Sequence, residues 1–258
     1  MPVDYSTVTE VPGDKATQEQ LVRVFHRYRF AVDYCEDKDV LEVACGAGQA
    51  LGYLARKARR VVGGDCTEKL VASAKQYYKD RVELYLLDAH QLPFRDSSFD
   101  VVILFEAIYY LGQPEKFLIE THRVLRKDGV LLIATVNRDW PEFNPSPFST
   151  RYLSVPELQQ LLLSNGYSAR FYGGFPAIPR TRKEKITAVI RKIAVKSHLI
   201  PKTMRGKELL KKVFYGKLVP LKAEIEEDMC EYAPPEPLSS DTGSSGHKVI
   251  YSVARIGT

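Results

Sequence analysis

Five short β-rich runs alternate with helical stretches over the first half of the chain, and nothing else in the sequence restricts the fold so strongly. The runs are Val40–Ala44, Arg60–Gly63, Val82–Leu87, Asp100–Phe105 and Gly129–Val136. Between them Gln49–Lys57, Glu68–Tyr78 and Pro114–Arg126 carry helical periodicity. Strands separated by helices of this length make a parallel sheet covered on both faces. Upstream, residues 17–35 read as a helix, with Leu21, Val24, Phe25, Tyr28 and Val32 near 3.6-residue spacing. Downstream, Val155–Ser164 reads as a helix closed by Asn165-Gly166. Tyr167–Phe175 and His247–Ile256 read as the sixth and seventh strands. The expectation is a doubly wound, seven-stranded, mostly parallel α/β sheet, with a helical insert between strands six and seven.

At 258 residues, 45% hydrophobic and 27% charged, the chain has enough apolar surface for a sizeable core. Its longest apolar stretch, Val130–Val136, falls far short of the ~20 residues of a membrane-spanning helix. Met1-Pro2-Val3-Asp4 has neither the basic nor the apolar part of a secretory signal. The four cysteines, Cys35, Cys45, Cys66 and Cys230, form no CxxC pair, so reduced thiols and a cytoplasmic location are expected. Charge is uneven. Residues 178–222 hold 14 Lys and Arg against two acids, +12, and the remaining 23 bases and 30 acids come to −7. Charge placed this way concerns partners more than fold.

The chemistry concentrates where the first strand meets its turn, in Val40-Leu41-Glu42-Val43-Ala44-Cys45-Gly46-Ala47-Gly48. Glycines there let a backbone approach a ligand, and the helix that follows offers free N–H groups. A dinucleotide fingerprint would need a third glycine, which Gly46-Ala47-Gly48-Gln49-Ala50-Leu51 lacks. Carboxylates instead gather around the turn. Glu42 lies in the first strand, Asp65 at the end of the second, and Asp88 at the end of the third. Asp65 is placed to accept from ribose hydroxyls, and Asp88 from an exocyclic amine. Three acids around a glycine loop suit a nucleoside with an amino-bearing or cationic tail better than a pyrophosphate.

With Asp88-Ala89-His90-Gln91-Leu92-Pro93-Phe94, Ser98-Phe99-Asp100-Val101-Val102 and Arg123-Val124-Leu125-Arg126-Lys127-Asp128-Gly129, these segments resemble the class I S-adenosylmethionine-dependent methyltransferases, and more narrowly the methyltransferase type 11-like subgroup. The resemblance covers about residues 20–175 and implies a Rossmann-like core with no metal. It implies that Gly46 and Gly48 pass under the methionine portion of S-adenosylmethionine, that Asp65 binds the ribose, and that Asp88 and Ala89 hold the adenine. Cys66 and Leu92 would pack on the adenine faces, with Glu42, Ala44 and Phe105 also at the cofactor. The first motif reads Glu-Val-Ala-Cys-Gly where Asp-Val/Leu-Gly-Cys-Gly is commoner, which keeps the carboxylate. Arg27, near the end of the N-terminal helix, would meet the cofactor carboxylate.

The acceptor pocket of such enzymes is lined by the end of strand four and the loop after it, here Phe105-Glu106-Ala107-Ile108-Tyr109-Tyr110-Leu111. Tyr110 stands where many relatives carry histidine. Tyr109, Tyr110 and His90 are therefore the candidate catalytic residues. The run Trp140–Phe148 follows strand five and is a second candidate wall.

The expected organisation is a cofactor-capping segment (1–36), a core (37–175), a basic helical insert and loop (176–246) and a final strand (247–258). Within the insert, Ile186–Ile200 and Lys207–Tyr215 read as amphipathic helices and Ala233–Gly246 as loop. The basic segment reads as a lid that attracts an anionic acceptor, as a contact with an anionic membrane through 178–222, or as a solvated face paired with Glu224–Glu231. Nucleic acid is the least favoured partner. The leading function is methyl transfer to a small-molecule or glycan-like acceptor at oxygen. The alternatives are a cofactor-binding regulator without turnover and a NAD-dependent oxidoreductase.

Overall fold

The structure is a computed structural model that describes residues 4–177, 218–227, 229–241 and 244–257. The two amphipathic helices expected within the basic insert lie outside the described residues. After a 3-10 turn at Tyr5–Thr7, the order is β1 (Lys15–Ala16), α1 (Gln18–Val32), β2 (Asp39–Val43), α2 (Leu51–Ala55), β3 (Arg60–Asp65), α3 (Glu68–Tyr78) and β4 (Glu83–Leu86). Then come β5 (Phe99–Phe105), a 3-10 turn at Ile108–Tyr110, α4 (Pro114–Val124), β6 (Leu125–Val136), α5 (Val155–Ser164) and β7 (Tyr167–Pro176). The last described strands are β8 (Val219–Pro220), β9 (Glu236–Leu238) and β10 (His247–Ile256).

The main sheet runs β4-β3-β2-β5-β6-β10-β7-β9. The strands β2 to β6 are mutually parallel, and β10 is antiparallel to both β6 and β7. That is the expected doubly wound α/β sheet with an antiparallel last strand. Among the described residues it has eight strands where seven are expected. Glu236–Leu238, read from sequence as loop, adds an edge by pairing with Phe171–Gly173. Glu-Pro-Leu is too short for an alternation signal, and a proline on an edge costs no ladder bond that the partner strand needs.

Alternation within the central strands places side chains in two cores. Leu41, Val43, Val102 and Leu104 fill one face, and Val40, Val101 and Ile103 the other, all essentially inaccessible. Burial on both faces explains why these strands read as continuous apolar runs. Helix α4 ends two residues earlier than its periodicity predicts, because Leu125 pairs with Phe99 as β6 begins. Arg126 then reaches Asp39 at 2.7 Å and Asp100 at 2.8 Å, tying the starts of β2 and β5 to that of β6. Capping boxes set two helix starts, Thr17 with Gln20 at α1 and Ser154 with Glu157 at α5. The acidic stretch finds partners in the body, since Glu224 meets Arg56 and Arg81.

Gly48 is held by the core, not by a ligand path. Its φ is +77°, and an added Cβ would meet Leu51, Tyr78 and Ala74 at 3.0–3.3 Å. Beside it the buried Tyr78 hydroxyl donates to the Gly48 carbonyl at 2.7 Å and accepts from the Gly52 N–H at 3.1 Å. Tyr78→Phe strands both backbone groups, and the expected loss of unfolding free energy is about 1–3 kcal/mol. Guanidinium melts of the two proteins check this, and equal midpoints would refute the role assigned to the hydroxyl.

Candidate active site

The carboxyl ends of the parallel strands open into a cavity of about 390 Å³, within the size range of small-molecule sites. It spans the point where strand order reverses, between β2 and β5, the usual binding position in open α/β sheets. On the β3–β4 side its wall includes Asp65, Cys66, Asp88 and Ala89; on the β5–β6 side, Phe105, Tyr109, Tyr110 and Ser146. Ala44 and Gly46 form the floor between them, and Arg27 faces in from α1. His90 also lines it.

Asp65 fixes the floor. One carboxylate oxygen accepts from the Gly46 N–H at 2.9 Å and the other from the Thr67 N–H at 2.8 Å. Burial pushes its carboxyl up, against the pull of those two donors. Each oxygen keeps a lone pair for a ligand hydroxyl. Gly46 has φ +58° and faces Thr9, whose Cγ2 would lie 3.0 Å from an added Cβ. Ala44 shares the left-handed region at +58°, which for a residue with a side chain marks a position held by its surroundings.

Asp88 and His90 form a local pair. Oδ1 of Asp88 accepts from the His90 backbone N–H at 2.9 Å and from Nδ1 at 2.6 Å. A carboxylate can only accept, so the proton sits on Nδ1. Nε2 is buried with no partner among the described residues. Although burial works the other way, these contacts hold Asp88 below the usual carboxylate range.

Across the cavity Arg27 meets Glu106 at 3.0 Å. Burial opposes the arginine's charge and Glu106 more than offsets it. Its Nε is buried with no partner among the described residues. Glu106 also accepts from the Tyr109 hydroxyl at 3.1 Å, and the Tyr110 hydroxyl is 2.6 Å from Ser146 Oγ. Burial first, then Glu106, raises the Tyr109 phenol well above its ordinary value.

Three sequence expectations do not reach the wall. Glu42 lies beneath the floor, 1% exposed, where it accepts from Tyr28 at 2.5 Å; Tyr28, not Glu42, faces the cavity. Gly48 is turned to α3, as described above. Leu92 is buried in the core and held through its backbone, its N–H donating to Glu120 and its carbonyl accepting from Arg123. Conversely, Tyr5, Val8, Thr9 and Glu10 lie across the cavity as a strap. Sequence reading passed over them because three residues of 3-10 turn carry no periodicity; the one local signal is Asp4, which caps that turn by accepting from the Ser6 N–H. Trp140 lies outside the lining, between Arg23 and Lys248.

Residues 41–133 match the family described as the methyltransferase domain. A protein of Mycolicibacterium smegmatis named "Probable S-adenosylmethionine-dependent methyltransferase" is 38% identical over 146 residues, 54% of this chain and 56% of that protein. The malonyl-[acyl-carrier protein] O-methyltransferase of Hamiltonella defensa is 30% identical over 47% of this chain and 50% of its own. The chain thus spans about half the length of these curated relatives. The YcgJ protein of Bacillus subtilis shares the fold, with a TM-score of 0.57 over 91% of this chain and all of that one at 16% identity. Over residues 41–133 the chain is similar to methyltransferase domains, and S-adenosylmethionine is the cofactor named for the Mycolicibacterium relative. The residues present fit it, with a glycine floor, carboxylates at two adjacent strand ends and a buried arginine whose Nε has no partner among the described residues.

Burial, opposed by the Tyr28 hydrogen bond and Arg27, raises the Glu42 carboxyl from 4.5 to about 7. Folded Glu42 therefore keeps its proton while the unfolded chain has lost it, and stability falls as pH rises from about 4.5 to 7, then levels off. At 1.36 kcal/mol per unit the penalty is at most about 3 kcal/mol. Glu42→Gln should remove that slope, so its melting temperature relative to wild type should climb between pH 5 and 8. Parallel pH profiles would contradict the buried, protonated state.

Proposed function

We propose that this protein is an S-adenosylmethionine-dependent methyltransferase that methylates an oxygen of a small-molecule acceptor. The observation that carries the reading is the cavity itself, with Asp65 and Asp88 on one side of the Gly46 floor and Arg27, Tyr109 and Tyr110 on the other. Asp65 would take the ribose hydroxyls, Asp88 and the Ala89 N–H the adenine edge, Cys66 one adenine face, and Arg27 the carboxylate of the methionine portion. When bound, the cofactor supplies an electrophilic methyl group on a positively charged sulfur. The protein's share is then alignment and proximity, with water kept out by the strap from Tyr5 to Glu10.

An oxygen acceptor that is a hydroxyl must also lose a proton. His90 Nε2 is the group suited to take it, because Asp88 holds the opposite nitrogen in the protonated form and leaves Nε2 unpartnered. Oxygen as the methylated atom is supported by the printed activity of the Hamiltonella relative. An oxidoreductase reading has less support, since the turn lacks the third glycine, and the carboxylates that gather there would repel a pyrophosphate.

Calorimetric titration with S-adenosylhomocysteine should show binding, with none for NAD. Asp65→Asn should weaken that binding by roughly 10- to 100-fold, the scale of about 1.5–3 kcal/mol for hydrogen bonds to a charged group. Unchanged affinity in a folded variant would refute the assignment, and tight binding with no methyl transfer to any oxygen acceptor would favour a regulator.

A further inference from the structure

The strap carries a carboxylate into the cavity. Glu10 and Arg27 both line it. Burial works against the Arg27 charge; Glu106 offsets it most, and Glu10 adds to the same pull. One residue before Glu10, Thr9 stands against the floor, its Cγ2 3.0 Å from where a Cβ on Gly46 would lie. Glu10 is thus held beside both the Gly46 floor and Arg27.

Helix α1 fixes it there. The Gln20 backbone N–H donates to Thr17 Oγ1 at 3.2 Å, and the Gln20 side-chain oxygen accepts from the Thr17 N–H at 3.0 Å, which closes the capping box. The nitrogen of the same amide donates to Oε1 of Glu10. Oε2 of Glu10 has no partner among the described residues. The cavity's other carboxylate near Arg27 is already engaged through both oxygens, since Glu106 meets Arg27 with Oε1 and the Tyr109 hydroxyl with Oε2. Asp65 and Asp88 belong to the β3–β4 side of the floor.

Arg27 is read above as the partner of the methionine carboxylate. The α-ammonium of that methionine portion sits on the very carbon that bears the carboxylate, so its acceptor has to lie beside Arg27. An ammonium left without one under a strap that keeps water out is strongly disfavoured. Resting on the S-adenosylmethionine reading, we propose that Glu10 is the acceptor of the α-ammonium, and that the strap therefore closes on nucleosides that carry an amino acid and discriminates against those without one. The ligand then bridges the two elements, with its carboxylate on α1 at Arg27 and its ammonium on the strap at Glu10. Bonds between two ionised groups are stronger than neutral ones, so replacing the ammonium by a neutral hydroxyl should be felt at Glu10 and nowhere else.

A two-by-two titration tests this. Calorimetry is run with S-adenosylhomocysteine and with its analogue bearing a hydroxyl in place of the α-ammonium, on wild type and on Glu10→Gln. Wild type should bind S-adenosylhomocysteine at least about 10-fold more tightly than the analogue, and Glu10→Gln should remove that preference by weakening S-adenosylhomocysteine alone, the scale of one hydrogen bond to a charged group. The substituted amide can still accept from Gln20, so the tie to α1 survives, and an unchanged affinity for the analogue reports a folded site. Equal affinities in wild type, a preference that persists in the variant, or equal losses for both ligands, which would leave Glu10 only holding the strap, would each overturn the proposal. Wild type that binds neither ligand would instead overturn the cofactor reading beneath it.

Discussion

Two backbone N–H groups held by one carboxylate set the position of the site. Asp65, at the end of β3, accepts from Gly46 in the turn after β2 and from Thr67 at the cap of α3. That joins the glycine turn, the neighbouring strand and the following helix into one floor. The carboxylate is desolvated in the process, and the two N–H groups are what make its burial tolerable. Asp65 also lines the cavity, so the group that shapes the floor is placed to meet a ligand. Gly46 is needed for the same reason. Its positive φ aims the N–H at Asp65, and its bare Cα leaves room for the strap above.

The two sides of the cavity differ in chemistry because they come from opposite sides of the strand-order reversal. β3 and β4 end in aspartates whose oxygens receive local N–H donors. β5 and the turn after it end in aromatic rings and a buried arginine–glutamate pair. A polar, hydroxyl- and amine-bearing ligand belongs on the first side, an apolar one on the second. The strap from Tyr5 to Glu10 crosses both. It is anchored by the Asp4–Lys69 pair at 2.7 Å and by backbone bonds of Gly13 and Asp14 to Leu221. The exposed ion pair contributes little by itself, so the ring contacts and the backbone bonds set the strap's position.

Much of this was legible in the sequence because it rests on periodicity and on punctuation. The central strands announced themselves as apolar runs buried on both faces, and Gly46, Asp65 and Asp88 follow from where those runs end. What periodicity could not show is direction and reach. Glu42 sits two residues before Ala44 yet lies beneath the floor, because Ala44 leaves the extended conformation with φ +58° and the regular alternation of the strand ends there. Gly48 and Gly46 look alike in sequence and serve different neighbours. The β9 edge and the Tyr5 turn are three residues each, below the length at which a pattern exists. The pairing of Arg27 with Glu106 joins residues 79 positions apart, which only the folded chain brings together.

The central claim is that S-adenosylmethionine lies on the Asp65–Gly46 floor beneath the strap. A crystal structure of the S-adenosylhomocysteine complex tests it most directly. The account predicts the ribose at Asp65, the adenine edge at Asp88 and Ala89, the carboxylate at Arg27, and Tyr5 to Glu10 closed above the ligand. A ligand bound elsewhere, or one on this floor with the Asp65 carboxylate turned away from both Gly46 and the ribose, would contradict it.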